Sequence, residues 1–123
     1  MSYNEEMVES LKFGLIDLFV LLLLQEEDMY GYKIKKEIEG RTKKVFLIKE
    51  GTLYGPLYRL KSRGFITNYT EFVNSRTRNY YHLEEPGKEF LQFVLDSYAE
   101  VTNATQNFIK DSLEVANKKE TSK

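Results

Sequence analysis

Apolar residues recur along this chain at helical spacing in four places and alternate at strand spacing in one. The first apolar stretch, residues 13–24, is dense enough to be buried on most sides. Ser2 or Asn4, followed by Glu5 and Glu6, supplies a helix start ahead of it. One helix is therefore predicted from there to about Glu26, closed by Gln25-Glu26-Glu27-Asp28. Tyr30-Gly31-Tyr32 opens a short second helix with Ile34 and Ile38 inward, Lys33, Lys35 and Lys36 outward, and Gly40 as its stop. Residues 41–48 connect it onward, with Val45, Phe46, Leu47 and Ile48 expected in the core.

Leu53, Leu57 and Leu60 make the apolar stripe of a third helix. Gly55, Tyr58, Arg59 and Ser62 lie opposite that stripe, Thr52 and Tyr54 stand near its start, and Gly64 ends it. Pro56 implies either a bend or a regular helix that begins near Gly55-Pro56. Residues 65–73 have strand composition, Asn74-Ser75-Arg76-Thr77 is turn-like, and residues 78–83 alternate again. Tyr81 and Leu83 share the face expected inward, and Tyr80 and His82 share the other. Glu84-Glu85-Pro86-Gly87 opens a last helix reaching about Asn117. Its apolar pairs Val94-Leu95, Val101-Thr102, Phe108-Ile109 and Val115-Ala116 fall seven apart, thickened by Leu91, Tyr98 and Thr105. Such a seam on an overlong helix asks for a partner helix. The predicted fold is mainly α with a small β-hairpin. A winged helix-turn-helix occupies residues 1–85, its first helix shared with a dimer interface; a C-terminal dimerisation helix follows over 86–117, and a disordered tail over 118–123.

Composition narrows the chemistry. The 123 residues include no cysteine and one histidine, which excludes disulfides, thiolate metal sites and multi-histidine centres. Glu84, Glu85 and Glu89 fit helix-start charges, no glycine-rich phosphate cradle is present, and no catalytic residue, metal or cofactor is assigned. The twelve-residue apolar run is shorter than the roughly twenty that a membrane span needs. It follows acids rather than a basic segment, so a cytoplasmic protein without membrane contact is expected.

The net charge of −1 argues against a nucleic-acid partner until it is mapped. Residues 31–81 hold twelve Lys/Arg against four acids, a net +8, while the flanks carry −9. Phosphate responds to the local field, so a basic middle between acidic ends points to DNA. Lys35, Lys36, Lys43, Arg76 and Arg78 are candidates for phosphate, and Tyr58, Arg59 and Ser62 for bases. Thr52 and Tyr54 suit either role. A solvated polar face and a solvated hairpin tip are the plainer alternatives. His82 reads as an ordinary strand residue.

Several of these residues occur together in a known pattern. The first helix leads into Tyr30-Gly31-Tyr32-Lys33-Ile34 with Glu37-Ile38. Gly51-Thr52-Leu53-Tyr54, Leu57-Tyr58-Arg59-Leu60 and Gly64-Phe65-Ile66 follow, then Arg76, Arg78, Tyr80-Tyr81-His82-Leu83 and Gly87. Over residues 10–92 the chain resembles the PadR family of bacterial transcription regulators, in its short form with a single C-terminal helix. Gly55 ahead of Pro56, Lys49-Glu50 ahead of the Gly-Thr-Leu-Tyr run, and Glu84 depart from the usual pattern. The resemblance implies a dimeric winged-helix repressor built from its first and last helices and released from operator DNA by a small molecule, here a small aromatic or apolar effector. Candidate interface residues are Leu15, Phe19, Leu22, Leu91, Val94, Leu95, Tyr98, Val101, Phe108 and Ile109. A winged-helix module that binds protein instead of DNA, or a small-molecule binding protein, are the alternative functions.

Overall fold

The computed structural model describes residues 2–121. The chain divides into two compact units, one ending at Leu91 and one beginning at Gln92. The first unit opens with α1 (Tyr3–Lys12), capped by Ser2, whose hydroxyl accepts the Glu5 N–H at 3.2 Å. Helix α2 follows (Leu15–Glu26). The single first helix expected from the sequence is thus two. Gly14 at φ +86° turns the chain between them, a left-handed conformation open to glycine and strained for other residues. The division has a packing cause. No residue of α1 is buried, whereas Leu18, Val20, Leu21, Leu23 and Leu24 of α2 are.

A two-residue strand, β1 (Met29–Tyr30), precedes α3 (Gly31–Arg41), so Tyr30 both ends a strand pairing and caps the helix that opens at Gly31 as expected. Helix α3 buries Ile34 and Ile38 as expected. Gly40 is not its stop; the chain reverses at Lys43 (φ 51°) and Lys44 (φ 65°), with the Lys44 N–H donating to the Glu39 carbonyl at 2.8 Å. In the connection that follows, Val45 and Leu47 are 61% and 62% exposed, against the expectation of core. Ile48 is buried, its N–H held by the Glu39 carboxylate at 2.9 Å, and Phe46 meets Phe19 edge-on. Chain direction there is set by these hydrogen bonds, and they leave alternate side chains outside.

Helix α4 (Tyr54–Ser62) starts where proline permits, with Pro56 in its first turn and Leu57 and Leu60 buried beside Leu53. Strands β2 (Ile66–Val73) and β3 (Arg76–Leu83) form the hairpin. The sheet order is β1-β3-β2, antiparallel throughout. The turn is narrower than expected. Asn74 and Ser75 alone form it, both at positive φ as a tight hairpin requires, and Val73 pairs with Arg76.

Helix α5 (Glu85–Thr121) spans 37 residues, about 55 Å. Its first turn is seated by Gly87, where an added Cβ would lie 2.2 Å from the Phe65 carbonyl oxygen and 2.6 Å from the Leu83 side chain. Phe90 stacks on Phe65 at 4.4 Å, and Leu91, at 1% exposure, belongs to the core of its own chain. Leu91, expected at the interface between copies, is therefore covered by its own chain and offers no surface to a second one. In the second unit Val101, Phe108, Ile109, Leu113 and Val115 are exposed. Residues 118–121, expected as disordered tail, continue the helix because nothing in Lys118-Lys119-Glu120-Thr121 breaks it; residues 122–123 lie outside those described. Among the described residues no helix is long and apolar enough to cross a membrane.

Two glycine substitutions test this packing. Gly87→Ala should lower the unfolding free energy by about 1–3 kcal/mol, the usual cost of overpacking against fixed backbone. Gly40→Ala, whose methyl meets nothing within 4 Å, should leave it unchanged or raise it by up to about 1 kcal/mol. Urea titration of both variants checks the pair, and equal effects would contradict the seat at Gly87.

Candidate nucleic-acid interface

Burial of Leu53, Leu57 and Leu60 leaves the other side of α4 to solvent, with Tyr54 and Tyr58 at 72% and 73% exposure. Between the start of α4, the start of α3 and the hairpin runs an open groove of about 920 Å³. It gathers Lys35, Tyr54, Arg76 and Arg78 from the expected set. Tyr30, Tyr32, Lys49, Thr77, Asn79 and Tyr81, which sequence reasoning did not assign to a site, also line it. The alternation of Arg76 to Asn79 and the Tyr30-Gly31-Tyr32 run were the signals for them. Lys36 and Lys43 lie apart, on a shallow depression shared with Lys44. Thr52 is exposed ahead of α4 but does not line the groove.

Arg59 and Ser62 stand elsewhere on the helix. The Arg59 guanidinium reaches Asp17 of α2 at 2.9 Å, and the Ser62 hydroxyl donates to the Arg59 carbonyl at 3.1 Å. Other cations are likewise held by acids. Arg41 binds Glu26 at 2.6 Å and Glu37 at 2.8 Å, and Lys33 pairs with Glu27. Among the described residues Lys35, Lys36, Lys43, Lys44, Lys49, Lys61, Arg63, Arg76 and Arg78 have no carboxylate within 4.0 Å. Arg78 instead lies over the Tyr30 ring at 4.4 Å and Lys36 over Tyr32 at 5.3 Å. The basic middle of the sequence is thus partly neutralised, and what remains charged includes the groove and its surroundings. A concave face with unneutralised cations and hydroxyl-bearing rings can bind a polyanion by phosphate contact and hydrogen bonding.

The profile of the transcriptional regulator PadR-like family matches residues 20–93. The chain belongs to this family. An uncharacterized protein of Lysinibacillus sphaericus is 36% identical over 98 residues, covering 79% of this chain and 90% of that protein. The crystal structure of a PadR family transcription regulator from Clostridium difficile superposes with a TM-score of 0.70 at 31% identity, over 78% of this chain and 99% of that one. Bacillus subtilis PadR, solved in complex with operator DNA, matches with a TM-score of 0.60 at 25% identity, over 68% of this chain and 46% of that one. PadR-like proteins are transcriptional regulators and not enzymes.

The base of this PadR-like hairpin is tied to the chain before β1. Asp28 accepts the Tyr69 hydroxyl at 2.7 Å, and its other oxygen lies 2.7 Å from His82 Nδ1. His82 is therefore not merely a strand residue. Partial burial pushes the Asp28 carboxyl up, yet the hydrogen bonds from Tyr69 and His82 outweigh it and hold the group below its ordinary 3.8. The Tyr69 phenol is pushed up to about 12, first by its bond to Asp28 and then by desolvation. A carboxyl with a lowered folded pKa supports the fold above its unfolded pKa and loses that support as pH falls through the folded value. A phenol with a raised pKa supports the fold below its ordinary 10.0 and loses that support as pH rises through about 12. The stability difference between the natural chain and Tyr69→Phe should accordingly be level from about pH 5 to 9 and shrink on either side. Urea midpoints across that range measure it; a difference independent of pH at both ends would remove the Tyr69–Asp28 bond as its cause.

Proposed function

We propose that this protein is a sequence-specific DNA-binding repressor that acts as a homodimer on double-stranded operator DNA and is released by a small aromatic or apolar effector. The observation that carries the DNA-binding reading is the groove uniting α4 with the hairpin wing, where Lys35, Arg76 and Arg78 stand without carboxylate partners. The solved complex of Bacillus subtilis PadR with operator DNA supports the same partner. In this reading Lys35, Lys36, Lys43, Arg76 and Arg78 neutralise phosphate, while Thr52, Tyr54, Tyr58 and Ser62 present α4 to base edges. Arg59 shares that exposed side, though its bond to Asp17 makes it chiefly a tie between α4 and α2.

The homodimer is supported by two apolar surfaces that the single chain leaves bare. Tyr3, Met7, Val8, Leu11 and Phe13 are exposed at α1, and Tyr98, Val101, Phe108 and Ile109 on α5. Leu15, Phe19, Leu22, Val94 and Leu95 are half-buried and can be covered further. Phe13, Phe93 and Tyr98 are among the exposed rings available to an aromatic effector, whereas Phe19 and Phe90 are engaged with Phe46 and Phe65. Release requires only that the effector bind the DNA-incompetent shape more tightly than the competent one.

The test is a paired titration of duplexes from the control region upstream of the protein's own gene and a scrambled duplex, at several salt concentrations. Arg76→Ala should weaken both alike and flatten the log-affinity against log-salt slope by about 0.9. Tyr58→Ala should instead reduce discrimination by about 1–3 kcal/mol. Loss of discrimination in Arg76→Ala alone would reverse the two roles, and an effector that binds without changing affinity would reject release. Sedimentation should give about twice the single-chain mass, with Phe108→Asp shifting it toward monomer. A monomeric natural chain would sink the two-half-site arrangement.

A further inference from the structure

The wing narrows to the two-residue turn Asn74-Ser75, and Phe72 stands just before it, paired with Thr77 and 76% exposed. Directly opposed residues of antiparallel strands project to one side of the sheet, and successive residues alternate. Phe72, Thr77 and Asn79 therefore share a face, and Thr77 and Asn79 line the groove beside Tyr54 of α4. The phenyl ring is thus carried at the wing tip on the side of the candidate interface.

Exposed aromatic rings without a hydroxyl are few among the described residues. Phe13, Phe93 and Phe108 belong to α5 or to the end of α1, the helices proposed to meet a second copy. Phe72 belongs to neither of those helices but to the hairpin. The wing that carries it is cationic at its tip: Arg76 and Arg78 lack carboxylate partners and stand on the sheet face they share with Glu71, the wing's one acid, while Phe72 shares the other face with Thr70, Thr77 and Asn79. A partner that accepts an apolar ring on one face of a wing and arginines on the other must be anionic outside and apolar within. A DNA duplex has that construction, with phosphates outside and stacked bases inside.

We infer that Phe72 is an apolar wedge, entering the minor groove beside the bases faced by α4 and partly unstacking one base step. The inference rests on the DNA-binding reading above. A wedge discriminates through deformability, so it favours pyrimidine–purine steps such as TA or CA/TG, which open at lowest cost. The arginines on the other face of the wing hold the flanking phosphates while the ring enters.

The experiment uses the full chain with short tiled duplexes from the control region upstream of its own gene, each carrying 2-aminopurine at one step. Binding of the natural chain should raise 2-aminopurine fluorescence at one step within a bound duplex. Phe72→Ala should abolish that rise and weaken binding on the order of tenfold, because the buried ring is lost. Phe72→Leu should retain most of both. Thermal unfolding and sedimentation should be unchanged in either variant, since the ring is exposed. Phe72→Ala binding with natural affinity, or a natural chain that binds with no fluorescence change at any step, overturns the wedge and leaves DNA binding standing. Loss of binding together with dissociation to monomer also overturns it, by assigning Phe72 to a contact between copies. A folded natural chain that binds none of the duplexes overturns the DNA-binding reading itself, and the wedge with it.

Discussion

The burial of α2 is the constraint from which the rest of the first unit follows. Val20 and Leu21 are wholly inaccessible, and three more leucines of the helix are buried, so it must be surrounded rather than laid on a surface. Helices α3 and α4 and strand β3 do the surrounding. Apolar burial is non-directional and does not by itself fix how these neighbours are rotated. Direction comes from carboxylates in and just after α2: Asp17 to Arg59 of α4, Glu26 to Arg41 of α3, and Asp28 to Tyr69 and His82 of the hairpin. Each is exposed enough to contribute little stability alone. Together they orient three elements about one helix.

The same pairs sort the charge. Acids around α2 consume Lys33, Arg41 and Arg59, and the cations left without carboxylates are those pointed elsewhere, among them the groove residues Lys35, Arg76 and Arg78. Subtraction thus leaves part of the sequence's basic middle gathered at the groove, where Lys35, Lys49, Arg76 and Arg78 outnumber Glu50. The count of charges along the chain does not reveal this, since Arg59 and Arg76 look equivalent until Asp17 is brought beside one of them.

Legibility in the sequence follows the range of the interaction involved. Leu53, Leu57 and Leu60, Ile34 and Ile38, and the alternation through Tyr81 and Leu83 are local patterns, and the elements they announce are present. The features missed depend on distant partners. Two residues of β1 exist only because Tyr80 and Tyr81 offer an edge. Leu91 sits at a heptad position yet is buried in its own chain, because Gly87 lets α5 press onto Phe65 and Leu83. Val45 and Leu47 have core composition, but the Glu39 bond to Ile48 fixes the connection with both outside. The groove was half legible: Arg76 and Arg78 announced a basic tip, while the rings of Tyr30 and Tyr32 reach it only through the turn from β1 into α3.

The length of α4 bears on why a second copy matters for the proposed function. Nine residues span about 13 Å, the rise of about four base pairs, and only a few outward side chains can touch base edges. At about 1–3 kcal/mol for each good contact, one such helix falls toward the lower end of the roughly 4–10 kcal/mol separating specific from non-specific sites. Phosphate contacts proposed for the wing would tighten binding to every sequence and not widen that gap. Widening it needs either shape readout at the wing or a second α4 held at fixed distance. The distance can be held only by a rigid element that joins the copies, and the exposed heptad positions of α5 are the part of this chain suited to that role. In the proposed homodimer, assembly and sequence discrimination would be coupled, because base contacts in two half-sites add only while both copies remain joined.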